Sequence, residues 1–185
     1  GINLIAQEAI ENQGLMQTDM NLNVQTAGEV HNSGNIKTGE SVIINGKSFD
    51  QSGEESSIES KKNTKITAAQ DIQVEDGKIV SEKNIELTSR SGNLENKGIL
   101  QALEKAAISA EGEISNSGIV IAGSSDHIGD SSNGIAVTGG NLTNSGELLT
   151  YGDVDLILAQ GVNFTEESET LAYGNVNITA QDHIL

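Results

Sequence analysis

Ile114-Ser115-Asn116-Ser117-Gly118-Ile119-Val120 and Leu142-Thr143-Asn144-Ser145-Gly146-Glu147-Leu148 are two copies of one pattern: an aliphatic residue, then Asn-x-Gly, then a second aliphatic residue. The same triplet recurs at Asn12–Gly14, Asn32–Gly34 and Asn96–Gly98. Weaker copies stand at Gln51–Gly53 and Glu75–Gly77, and an eighth at Glu166–Ser168 has lost the glycine. Successive third positions are 20, 19, 24, 21, 20, 28 and 22 residues apart. A period near 20 that tolerates insertions is the signature of a solenoid.

The apolar positions keep the same register. Four residues before the glycine stand Ile10, Val30, Phe49, Leu94, Ile114 and Leu142, with Phe164 before Ser168; two after it stand Met16, Ile36, Ile79, Leu100, Val120 and Leu148. Eight and ten after it come Leu22/Val24, Val42/Ile44, Ile85/Leu87, Ala106/Ile108, Val154/Leu156 and Val176/Ile178. Alternation of this kind turns both side chains to one face of a strand. Such a unit cannot bury its apolar face alone, but stacked copies line a common core and pair in parallel. The expectation is an all-β parallel β-helix of about eight coils, one unit over residues 1–185. The Asn is expected to form a ladder at a corner, tolerating left-handed geometry, with the glycine supplying φ > 0. Loop insertions are expected near 54–62 and 123–134. Gln101–Ala107 is rich in helix formers, yet its neighbours keep the register, so it reads as strand and corner. Ile2 and Leu4 match a trailing pair and Ile184 a leading position, so the chain is expected to be a piece of a longer solenoid.

Composition agrees with a thin aliphatic core. The chain has 21 Gly, no Pro, Cys or Trp, and only two Tyr and two Phe. A net charge of −17 argues against nucleic acid, which needs clustered Lys and Arg, and against docking on anionic lipid. No apolar run reaches membrane-spanning length, so no membrane insertion is expected. Without cysteine there is no disulfide, thiolate zinc site or cysteine nucleophile.

The Asn-x-Gly repeat, carried above all by residues 114–120 and 142–148, resembles the haemagglutinin repeats of two-partner-secretion exoproteins. These include filamentous haemagglutinin-type adhesins and the long effectors of contact-dependent growth inhibition. The resemblance runs from about Ile2 to Leu185. It implies a right-handed shaft, a secreted protein at the bacterial outer cell surface, and export through an outer-membrane transporter partner that engages other regions. It further implies a host or neighbouring-cell receptor for the parent protein, and it carries no catalytic residues. Gln51–Gly53, Glu75–Gly77 and Glu166–Ser168 depart from the pattern and leave the geometry of those corners open.

Of the candidate sites, the loop Gly123–Gly134 stands out. Asp126, His127, Asp130 and Asn133 form its candidate partner-contact set, since loops projecting from solenoids often carry recognition. The same four residues could gather a calcium ion through oxygen ligands, but their spacing fits no EF-hand and no acidic residue closes the loop, so no metal is assigned. His31 and His183 lie about seven coils apart and cannot share an ion. Sequons at Asn141, Asn163 and Asn177 lie in strand registers and read as chance matches. No phosphate loop, dinucleotide fingerprint or nucleophile elbow occurs, so no cofactor and no catalytic residue are assigned.

Three functions compete. A non-enzymatic, monomeric shaft presenting adhesive or toxin modules is the leading expectation. Direct adhesion, with the Gly123–Gly134 loop or the acidic side wall contacting a receptor or glycan, is the alternative. A polysaccharide-active enzyme is the third, and would need Arg90, the only arginine, beside clustered acids.

Overall fold

The computed structural model describes all residues, Gly1–Leu185, as a parallel β-solenoid. Twenty-four strands form a 16-stranded and an 8-stranded sheet, and every strand pair is parallel. The larger sheet contributes two walls of the coil. Strands Lys105–Asn116 and Gly134–Asn144 run unbroken from one wall into the next, with a register shift between Ala110 and Glu113 at the bend. The smaller sheet is the third wall.

Stacking sets the core. On the first wall Leu4, Val24, Ile44, Ile66, Leu87, Ile108, Val137, Leu156 and Ile178 lie in one column, one residue per coil. The third wall carries Met16, Ile36, Ile58, Ile79, Leu100, Val120, Leu148 and Thr170. The inner members of these columns join those of the second wall in a single cluster of 32 buried apolar residues, against which Leu4, Met16 and Ile178 pack half-buried at the ends. The first wall recurs nine times, one more than the expected eight coils. The Asn-x-Gly corner joins the second wall to the third, a junction the chain makes only eight times. Gln101–Ala107 is strand, bend and strand, as its register required.

Three irregular corners differ from the expected alignment. The insertion after Gly53 is confined to Glu54–Ser56; Ser57–Ser60 is a strand, and Ile58 is fully buried in the third-wall column. In the next coil Val74, not Glu75, stands level with Gln51 and Asn96, because the corner holds one extra residue. Near the other end Val162, not Phe164, continues the apolar column from Leu142, and Phe164 stands level with Asn144.

The Asn ladder forms, but inside the coil and without left-handed backbone: no residue other than glycine has positive φ. Asn12 Nδ2 donates to Asn32 Oδ1 at 2.8 Å, and Asn96 to Asn116 and Asn116 to Asn144 at the same distance. Asn32 reaches Gln51 Oε1 at 3.3 Å. Each buried amide thereby satisfies the amide above it, as a low-dielectric interior demands. Val74 interrupts the column, and Asn96 Oδ1 accordingly has no partner.

The triplet glycine has a different role from the expected one. Positive φ is confined to Gly53, Gly77, Gly123, Gly129 and Gly134, all at irregular corners or in the long loop. In the regular corners the backbone passes so close to the preceding coil that a Cβ on Gly34, Gly98, Gly118 or Gly146 would lie under 3.0 Å from its backbone. A Cβ on Gly14, in the first coil, would meet nothing within 4 Å. Gly118→Ala should therefore cost about 1–3 kcal/mol of overpacking, whereas Gly14→Ala should change stability by less than ~0.5 kcal/mol. Equilibrium denaturation checks both; equal effects at the two positions would contradict the close-approach role.

Candidate functional site

The loop after strand Ile119–Ala122 leaves the coil at Gly123, with φ +84°, and rejoins it at Gly134. Ser125–His127 make a 3₁₀ turn, and Gly129 N–H donates to Tyr151 O at 2.6 Å, tying the loop to the coil above. Asp126, His127 and Asp130 are exposed at its surface. Asn133 is not: it is 6% exposed, its N–H donates to Asp130 O, and its carbonyl accepts from Asp153 N–H. The contact set reduces to three side chains because the chain must turn inward at Asn133 to re-enter the stack.

Asp130 organises the tip. Its Oδ1 accepts from Ser132 N–H at 2.9 Å and from Ser132 Oγ at 2.8 Å. These bonds, the amide first, hold its carboxyl below the usual aspartate value, and His127 adds to the effect. No three His, Asp or Glu side chains converge here or elsewhere in a metal-holding group. Asp126, His127 and Asp130 thus form no such group of three.

Elsewhere the outer surface carries charge ladders. Glu59 lies between Lys78, at 2.9 Å, and Lys37, at 3.5 Å, on the third wall. Its carboxyl is held below the usual range by the Lys78 hydrogen bond first, against an opposing desolvation. These residues line an open groove of about 410 Å³ with Thr38, Ser60 and Glu82. His31 and Asp50 face each other one coil apart, Nδ1 to Oδ2 at 2.5 Å, and Ser52 Oγ lies 3.4 Å from His31 Nε2. The order is that of an acid–base relay. The register explains it without chemistry: His31 stands directly opposite Asp50 on the outward side of two paired strands. Arg90 lines a bend with Glu111, the single acidic residue in that groove.

No protein-family model, curated protein or solved structure matches this chain. The fold and its surfaces therefore carry the functional argument.

Sequence reasoning passed over two features. The first is an outer corner ladder: Asn21 Oδ1 accepts from Ser41 N–H, Asn63 Oδ1 from Asn84 N–H, and Asn84 Oδ1 from Lys105 N–H. Its signal was a polar residue directly before each alternating pair. The second is a charge division. All ten basic residues precede Ala106, while 11 of the 27 acidic ones follow it. Every ion pair lies between His31 and Lys97.

Because Asp130 is more acidic in the folded loop, its turn is tied down at neutral pH and released as pH falls through that lowered value, below the ordinary aspartate pKa of about 3.9. The Ser132 amide proton should report this titration by NMR, and should lose it in Asp130→Ala while the thermal unfolding of the coils stays unchanged. A lowered unfolding temperature in that variant would mean the loop supports the stack.

Proposed function

We propose that the chain is a non-catalytic shaft segment of a secreted bacterial surface exoprotein of the haemagglutinin-repeat, two-partner-secretion type. Its work is mechanical: it holds adhesive or toxin-bearing modules at a distance from the surface to which the parent protein is attached. The observation that carries this reading is the unbroken stack. Nine coils share one core, with no hinge or second domain between them. Each interior coil pairs its backbone with both neighbours, so bending the axis would open hydrogen bonds on one wall and compress glycine corners on another. A secreted rod also benefits from its strong acidity, which opposes aggregation. The export partner, the cell-surface location and the receptor of the parent protein follow from the repeat resemblance and belong to the same proposal.

Rigidity is directly measurable. Asn3 and Asn177 face outward in one column at opposite ends of the stack, eight coil steps apart. At ~4.8 Å per step the separation is about 38 Å. The chain has no native cysteine, so spin labels on Asn3→Cys and Asn177→Cys should give one narrow distance near that value by pulsed electron resonance. A broad or bimodal distribution would sink the shaft reading.

A second reading, direct adhesion, is favoured by the loop that leaves the coil with Asp126, His127, Ile128 and Asp130 exposed. Replacing residues 125–132 by a short Gly/Ser bridge should leave whole-cell binding unchanged if the chain is a passive shaft. Loss of binding by a folded, bridged variant would transfer the function to the loop.

A further inference from the structure

The outer face of the third wall changes character along the axis. In its first coils the two outward columns read Leu15, Asn35, Ser57, Lys78 and Gln17, Lys37, Glu59, Val80, six polar residues to two apolar ones, with Glu59 paired to Lys37 and Lys78. From strand Ile99–Ala102 onward five of the eight outward residues are apolar, the others being Gln101, Glu147 and Glu169. Ile99 and Ile119 stack in one outward column, and Ile121, Leu149 and Leu171 in the next. Two residues beyond Leu149 and Leu171 come Tyr151 and Tyr173, whose rings stack with centroids 5.4 Å apart and extend the strip toward the loop. The loop's Ile128 is also exposed, and its backbone is tied to Tyr151 through Gly129.

This strip covers four coils, about 14 Å along the axis at ~4.8 Å per step. It is contiguous, unlike the scattered single apolar residues that any surface carries. The alternation rule does not call for it. Val120, Leu148 and their column already fill the core, so Ile119, Ile121, Leu149 and Leu171 are additional apolar side chains on the water side.

The charges around the strip select its occupant. Glu147 and Glu169 continue the Ile99–Ile119 column, and Asp126 and Asp130 stand exposed in the adjoining loop. No Lys or Arg follows Lys105, and no acidic residue beyond that point is in an ion pair. An acidic polypeptide or an anionic lipid surface would be repelled. A second copy would bring its own net charge of −17, and its basic residues are largely engaged with its own carboxylates.

We infer that the outer third wall from Ile99 to Tyr173 is a docking surface for a basic amphipathic polypeptide segment, one that alternates Lys or Arg with apolar side chains. The apolar side chains cover Ile119, Ile121, Leu149 and Leu171, and the cations meet Glu147 and Glu169 at the rim. This goes beyond a passive shaft and stands whether or not the parent protein is a two-partner-secretion exoprotein.

The chain contains its own reporter. Tyr151 and Tyr173 are its only tyrosines and it has no tryptophan, so intrinsic fluorescence reads this surface alone. The probe is a short, unlabelled peptide of alternating Lys and Leu, with a Glu/Leu peptide as its counterpart. The Lys/Leu peptide should change the tyrosine emission saturably, and the Glu/Leu peptide should not. Leu149→Ser with Leu171→Ser, and separately Glu147→Gln with Glu169→Gln, should each weaken binding about tenfold or more, equivalent to roughly 1.4 kcal/mol. All four side chains point outward, and circular dichroism confirms that the coils remain; Leu171→Ser alone is the milder variant should the double one unfold. Glu8→Gln with Glu11→Gln removes the same charge from the first coils and should change affinity less than twofold. Equal loss in that control would reveal diffuse electrostatic attraction and overturn the proposal. Unchanged affinity in the leucine variants, binding without a tyrosine response, or concentration-dependent dimerisation of the chain alone through this face would overturn it as well.

Discussion

The distance between successive coils governs everything else in this molecule. Parallel backbone pairing sets it at about 4.8 Å, and no side chain can relax it. At the Asn-x-Gly corner the chain turns from the second wall to the third while passing directly over the same turn of the coil below. There is no room for a Cβ at Gly34, Gly98, Gly118 or Gly146. The same spacing brings the amides of Asn96, Asn116 and Asn144 to 2.8 Å of one another. It also stacks aliphatic side chains into columns that exclude water. Glycine, asparagine and the aliphatic ladders are three answers to one constraint.

That constraint explains how irregular coils are accommodated. Extra residues after Gly53 and around Gly77 leave the stack at the corner, through glycines with φ of +94° and +71°, and the walls on either side stay in register. The long loop from Gly123 to Gly134 does the same on a larger scale. Variation is pushed outward because the interior offers each coil only one position per column. The interior amide ladder is where irregularity leaves a trace: Val74 and Phe164 occupy its positions, and Asn96 Oδ1 is left without a donor.

The outside of the solenoid is free of these demands and is where the chain differs from coil to coil. Between Lys37 and Lys97 it carries interleaved Lys and Glu that neutralise one another, as around Glu59. Its later coils carry acids without bases and an apolar strip ending in the Tyr151–Tyr173 stack. A surface that served only to stay soluble would not concentrate apolar side chains on one wall. The two faces of each strand thus meet different demands, inward residues serving the stack and outward ones facing solvent.

Periodicity alone determined the fold class, the wall strands and nearly every interior column, because alternation and a repeat near 20 residues are local properties that survive stacking unchanged. It also marked the Gly123–Gly134 loop, since an insertion into a fixed period must leave the coil. Three things were decided only by the tertiary structure. Register at irregular corners was one: Ile58, Val74 and Val162 take their columns by pairing with neighbours about 20 residues away, which no local pattern encodes. The reason for the glycines was another, since close approach between coils leaves the same sequence mark as positive φ. The last was the candidate site itself. Asn133 is withdrawn by the turn back into the stack, and Ile119, Ile121, Leu149 and Leu171 meet as one surface only when four coils lie on top of one another.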